Sequence, residues 1–154
     1  MSVLQVRAFL SSCAPDIEVV ELEKSTATVV EAAEAFGVVP GQIAKTLSLY
    51  VEDRVALLVM SGDAKLHNKK FKDTIGVKPK MLKFDDVASK TGFQPGGVCP
   101  FTREGHIDIY CDESLKQYEE VLPAGGSSNS GVRISPLKLA EICQATWVDV
   151  AKFE

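Results

Sequence analysis

The chain has no apolar run of membrane-spanning length, no closely spaced pair of cysteines, only two histidines and a single tryptophan. Each shortage excludes something. Without about 20 consecutive apolar residues there is no transmembrane pattern, and the opening MSVLQVRAFLSSCAPD carries polar side chains throughout instead of the apolar centre of a secretory leader. The expected location is the cytoplasm, with no membrane partner. Cys13, Cys99, Cys111 and Cys143 are scattered with no C-x-x-C spacing, so reduced thiols are expected rather than a disulfide framework. His67 and His106 stand far apart, and neither has Cys, Asp or Glu at ligand spacing, so no metal or cofactor is expected. G-x-S-x-G, Walker A and G-x-G-x-x-G are missing too, which removes the commonest hydrolase and nucleotide-loop signatures.

What is present is an ordinary globular composition, 45% apolar and 25% charged over 154 residues. That length predicts one compact domain, 1–154, with a real core. A net charge of −4 argues against a generic nucleic-acid binder, yet between Lys65 and Lys83 seven lysines face one acid, Asp73. Taken alone, such a cluster is a solvated helix face. It gains meaning only if another feature calls for a polyanion.

The elements alternate without internal repeats. Val3 to Leu10 is apolar at helical spacing, and Ile17 to Leu22 alternates as a strand does. Thr26 or Thr28 caps a helix through VVEAAEAF that stops at Gly37, and Pro40-Gly41 makes a turn. IAKTLSLYV and VALLVM flank EDR as a hairpin. SGDAKLHNKKFKDTIG reads as a loop feeding a helix capped by Ser61 or Asp63 and ended by Gly76. A short helix near FDDVASKTG precedes strands at HIDIYC and EEVLPA. VRISPLKLAEICQAT then gives a strand and a helix begun by Ser135 and Pro136, and WVDV a last strand. Hairpins outnumber regular βαβ units, so the predicted class is α+β.

Three stretches invite chemistry. TGFQPGGVCPF, from Thr91 to Phe101, mixes glycines that open positive φ with prolines that fix it, which describes a shaped loop able to aim N–H groups. Its Cys99 offers a rival reading as a nucleophile, which would need a neighbouring base. Lys45 is the one ammonium in an apolar strand, on a face with Ile43, Leu47 and Leu49. Such a lysine usually snorkels to solvent, and the sharper reading is that it lines a pocket. SGD at 61–63 and AGGSSNSG at 124–131 could hold phosphate on backbone N–H groups, although most such stretches are turns.

GQIAKTL, SGDAKLHNKKFKDTIGVK, TGFQPGGVCPF, CDESLKQYEEVLPAGGSSNSGVRISPLKLAEI and WVDV occur in that order. Together they resemble the YbaK/ProX family of aminoacyl-tRNA deacylases, freestanding relatives of the editing insertion domain of bacterial prolyl-tRNA synthetase. The likeness runs from about STATVVEAAEAFGV to the end. It implies a curved, barrel-like mixed sheet surrounded by helices, and a pocket for the aminoacyl-adenosine end of a mischarged tRNA. The family's pocket lysine falls on Lys45, followed by Thr46. Its G-x-x-x-P loop falls on Gly96, Gly97, Val98, Cys99 and Pro100, with Phe101 next, and its late glycine turn on Ala124, Gly125 and Gly126, with Asn129 beyond.

The resemblance also implies the reaction. Hydrolysis of an aminoacyl ester needs a positioned water, donors for the oxyanion and a proton for the leaving ribose oxygen. Lys45, Gly96 and Gly97 are the expected catalytic groups, and Thr46, Ser61, Asp63, Val98 to Phe101, Ala124 to Gly126 and Asn129 the expected substrate-binding ones. Lys65, Lys69, Lys70 and Lys72 would grip the tRNA backbone. An aminoacyl-tRNA synthetase is a further expected partner, and both monomer and homodimer remain open. Thr102 stands where many relatives have glycine, and the late turn lacks the histidine tied to alanine preference in the synthetase domain, so Cys, Ala, Ser and Thr esters all stay open. A non-catalytic relative that binds tRNA or nucleotides and a Cys99-dependent hydrolase of small esters are the alternatives.

Overall fold

A computed structural model describes residues 3–153. Helix α1, Val3–Cys13, buries Val6, Phe9 and Leu10 on one face, as its spacing predicts. Strand β1, Val19–Glu21, leads to α2, Val29–Phe36. Thr28 is the cap of α2: its Oγ1 accepts the Glu31 N–H at 3.1 Å, and Gly37 ends the helix at φ 71°. A single 3-10 turn at Pro40–Gln42 enters the hairpin of β2, Ile43–Val51, and β3, Arg54–Ser61, which reverses through Glu52 and Asp53. Next come β4, Lys65–Leu66, α3, Asn68–Ile75, β5, Lys80–Met81, and α4, Phe84–Thr91. The chain continues with β6, Ile107–Asp112, a 3-10 segment at Glu113–Gln117, β7, Leu122–Pro123, and β8, Ser130–Val132. Helix α5, Pro136–Cys143, and strands β9, Thr146–Val148, and β10, Ala151–Lys152, complete it.

The main sheet has the order β5-β2-β3-β6-β9, with β7 also paired to β2. β2 is antiparallel to β3 and β5, whereas β6 is parallel to both β3 and β9, and β7 is parallel to β2. The sheet is therefore mixed, and the fold α+β, as expected. Among the described residues the strand pairing does not close this sheet into a ring. Two small antiparallel ribbons, β1 with β8 and β4 with β10, flank it.

Central strand β3 explains its own sequence. Leu57 and Val59 pack into the main core with Phe9, Leu10, Phe101 and Leu139, whereas Leu58 and Met60 face a second cluster with Leu49 and Phe71. Covered on both faces, the strand reads as an unbroken apolar run and not as an alternation. A third, small cluster joins Ala32 and Ala33 of α2 to Ile43 and Leu122. No helix among the described residues is long and apolar enough to cross a membrane.

Two expectations are corrected here. Neither Ser61 nor Asp63 caps α3; His67 does, its Nδ1 accepting the Lys70 N–H at 3.2 Å. The helix starts later because Lys65 and Leu66 first pair with Lys152 and Ala151. The connections are also less hairpin-like than predicted, since β3, β6 and β9 run parallel and α5 lies between the last two.

Candidate active site

A cavity of about 160 Å³ lies between the start of α2, the first half of β2, the Gly96–Val98 loop and the end of β7. Five of the singled-out residues line it: Lys45, Thr46, Gly96, Val98 and Ala124. They come from three segments distant in sequence. Their meeting is a product of the fold.

Lys45 is half-buried, and its Nζ donates to the carbonyl of Ala64 and, at 3.3 Å, to that of Gly62. An ammonium has three donors, so one remains for the cavity. Burial pushes the Lys45 pKa below the ordinary lysine value, the charge of Asp63 opposes this, and Lys65 adds to it. Asp63 and Lys65 thus lie within electrostatic reach of the cavity although neither lines it. Ser61 has a different task. It is fully buried, with its Oγ 2.7 Å from both Gly41 O and Asp63 Oδ1, and its N–H donates to Ser114 Oγ at 3.1 Å. These bonds hold the turn that anchors Lys45.

The glycine loop is built by contact with the other glycine stretch. Gly96 sits at φ 89° beside Ala27, a backbone state that other residues rarely adopt. A Cβ on Gly97 would lie 2.8 Å from Ser127 N and Cα, so the two main chains touch there. The Gly97 N–H donates to Gln94 O at 3.0 Å and closes the turn. It is therefore not available to a substrate, contrary to its expected catalytic part. Among the described residues the N–H groups of Gly96 and Val98 have no partner.

Beyond the cavity, Gly125 packs against Val19 and Ser130, and Gly126 turns at φ 103°. Asn129 is a clamp. Its Nδ2 donates to Leu22 O at 2.8 Å while Ser127 Oγ donates to its Oδ1 at 2.8 Å. Cys99 and Phe101 are completely buried in the main core, where Phe101 packs on Phe9 with ring centroids 5.8 Å apart, and Pro100 is buried between them in sequence. Burial pushes the Cys99 thiol up to about 12, only partly offset by the Phe101 backbone. A protonated thiol outside the cavity has no route to a substrate, which removes the nucleophile reading. His106, the one nearby histidine in sequence, is exposed and contacts Lys90 O at 3.2 Å.

The lysines divide. Lys69 pairs with Asp73 at 2.8 Å and Lys70 with Asp149 at 3.1 Å, all exposed enough for solvent to weaken them. Lys69 and Lys72 join Lys78 around a surface groove beside α3. Sequence reasoning missed the cavity wall from Thr26 to Val29 and Ser130. There Thr26 Oγ1 accepts the Ser130 N–H at 3.1 Å and donates to Ser130 O at 3.2 Å. The only signal for that wall is the helix cap itself.

Comparison with known proteins agrees with the geometry. The model of the aminoacyl-tRNA editing domain family matches residues 23–142. The chain is 43% identical to the uncharacterised protein YwhH of Bacillus subtilis, over 99% of this chain and 98% of that one. It is 24% identical to EbsC of Enterococcus faecalis, named as a candidate Cys-tRNA(Pro)/Cys-tRNA(Cys) deacylase, over 79% of this chain and 76% of that one. A solved structure described as a candidate trans-editing enzyme for prolyl tRNA synthetase superposes with a TM-score of 0.89 at 32% identity, covering 97% of this chain and 96% of the other. The chain belongs to the aminoacyl-tRNA editing domain family, of the YbaK/ProX type, and its chemistry is that of an aminoacyl-tRNA deacylase.

Proposed function

We propose that the cavity takes the aminoacyl-adenosine end of a mischarged tRNA and hydrolyses its ester, acting in trans on a small amino acid. The observation that carries this is that the anchored Lys45 lines one small cavity together with Gly96 and Val98, whose N–H groups have no partner among the described residues. Water attacks the ester carbonyl, whose oxygen is met by the loop donors as charge develops; the acyl bond to the ribose oxygen then breaks and the proton given up by the water passes to that oxygen, releasing the free amino acid and the ribose hydroxyl. Because Gly97 is already bonded to Gln94 and seated on Ser127, the donors need little reorganisation. One such donor is worth roughly 3 kcal/mol in the barrier. Lys45 directs its remaining N–H to the substrate, orienting the ester or holding the terminal phosphate. No side-chain nucleophile is required; the substrate's own ribose hydroxyl assists the water.

Small wall residues, Ala27, Ala32, Ala44, Ala124 and Gly96, favour Cys, Ala, Ser or Thr esters, with proline tRNA as the first carrier to test. The basic face around Lys69, Lys72 and Lys78 supports contact with the acceptor-stem phosphates. The deciding experiment measures amino-acid release from Ala-, Cys-, Ser- and Thr-charged tRNAs, on cognate and proline tRNA, with Lys45→Ala in parallel. Selective release lost in the variant supports the deacylase. Retained tRNA binding with no release above background would leave a binding module instead.

A further inference from the structure

The cavity opens where the ladder along the outer edge of β2 is interrupted. Pairing of Val51 with Arg54 across a two-residue turn sets the parity of the strand. Lys45, Leu47 and Leu49 aim their backbone groups at β3, whereas Ala44, Thr46, Ser48 and Tyr50 aim theirs outward. Two contacts check this. Ser48 O accepts the Leu82 N–H at 3.0 Å on the outer side. Ala44 is paired with Pro123, which has no N–H to give, so the bonds of that pairing must run from Ala44 itself to the residues flanking Pro123. Of the four outward residues, Ala44 is covered by β7, Ser48 by Leu82 and Tyr50 by β5. On the outer side Thr46 is opposite no strand among the described residues, its β3 partner Val59 lying on the other side, and it lines the cavity. Its Oγ1 is buried without a partner as well, so the polar groups of this residue are left for something else to satisfy.

We propose that the aminoacyl group binds as one added rung on β2 at Thr46, a mode that rests on the deacylase reading above. An aminoacyl ester carries one amine and one carbonyl on adjacent carbons, which is the donor and acceptor set of a single strand residue. Set antiparallel to Thr46, its ester carbonyl accepts the Thr46 N–H and its α-ammonium donates to the Thr46 carbonyl, as an extended peptide does at a free sheet edge. Such a rung fixes the ester next to the Gly96–Val98 loop whatever the side chain. It reads the common part of every substrate and leaves choice among amino acids to the apolar wall.

The test is amide NMR and hydrogen exchange on the ¹⁵N-labelled protein with 3′-alanylamino-3′-deoxyadenosine, whose amide cannot be hydrolysed as the ester is. The Thr46 signal is assigned through its loss in threonine-labelled T46V. In the free protein the Thr46 amide exchanges rapidly while Lys45 and Leu47 are protected; at saturation its resonance shifts and its exchange slows at least about tenfold, as expected for one hydrogen bond gained. The N-acetylated analogue, which lacks the ammonium, binds roughly tenfold more weakly or worse. Shifts at Gly96 and Val98 with an unmoved Thr46 amide overturn the added rung and leave the deacylase reading intact. Absence of any binding by the analogue overturns both.

Discussion

Replacing Lys45 by methionine separates the ammonium from its stem. The stem lies on the face of β2 shared with Leu47 and Leu49, opposite Met60 in β3, so a thioether of similar length keeps that packing. What disappears is one half-buried positive charge with its bonds to Gly62 O and Ala64 O. Charge-assisted bonds of this kind are worth about 1.5 to 3 kcal/mol each, and desolvating an ammonium costs several kcal/mol, so the two nearly cancel in stability. The melting temperature should move by only a few degrees. Catalysis has no such offset. If the third donor meets charge that grows in the transition state, kcat/KM falls about 100-fold, or ~2.7 kcal/mol. The assay is single-turnover deacylation of the best substrate from the panel, with circular dichroism to verify folding. A folded variant within about threefold of wild type would refute the argument. The pH profile gives a second check. Because burial lowers the Lys45 pKa, the folded state releases this proton at a lower pH than the unfolded chain, and the charging penalty on stability fades as pH rises through that interval. Activity that needs the ammonium therefore declines on an alkaline limb beginning below the ordinary lysine value of 10.5, after subtraction of spontaneous hydrolysis. That limb is absent in Lys45→Met.

Gly97→Ala places a Cβ within 2.8 Å of the Ser127 backbone, which cannot swing aside as a side chain would; a stability loss of about 1–3 kcal/mol and a larger loss of turnover are expected from thermal melts and kinetics together. Cys99→Ala should keep turnover within about threefold while lowering stability by about 1 kcal/mol for the lost buried sulfur, and Cys99 of the native protein should resist alkylation while the partly exposed Cys13 reacts. Complete loss of activity in a folded Cys99→Ala would restore the nucleophile. Lys72→Glu with Lys78→Glu should raise KM more than it lowers kcat, and flatten the dependence of log affinity on log salt by about 1.5. An unchanged salt slope would remove the groove from the tRNA path.

Much of this was legible in the sequence, and the parts that were not have a common cause. Lys45 in IAKTLSLYV stands out because a strand's period of two puts an ammonium on an apolar face, and the structure keeps Leu47 and Leu49 on that face. Thr28, Gly37, Ser135 and Pro136 announce α2 and α5 because caps are chemistry of neighbouring residues. The parallel pairing of β3 with β6 and of β6 with β9 left no local trace, since it joins strands across long connections. Ser61 looked like a cap for the same reason. Nothing local says that Lys65 and Leu66 are taken by β10, or that the Ser61 hydroxyl is held by Gly41. The opening in β2 is harder still to foresee, because it depends on where two other strands stop.

The way polar groups are satisfied then distinguishes scaffold from site. Around the glycine turns the scaffold bonds are filled: Gly97 to Gln94, Asn129 to Leu22, and Thr26 to Ser130 in both directions. These fix the positions of the walls. Within the same cavity wall a few groups stay open: the Gly96 and Val98 N–H groups and Thr46 Oγ1 are left without partners among the described residues. The other buried side-chain oxygen left over, Gln5 Oε1, belongs to α1, whose residues are absent from the cavity wall. An unpaired buried group costs stability, about 1 to 3 kcal/mol, so filling the Thr46 position with an apolar isostere should not weaken the fold. Thr46→Val is accordingly expected to melt at or above the wild-type temperature. A clear drop in melting temperature would mean that the Thr46 hydroxyl already serves the fold, and would withdraw it from the groups held ready for substrate.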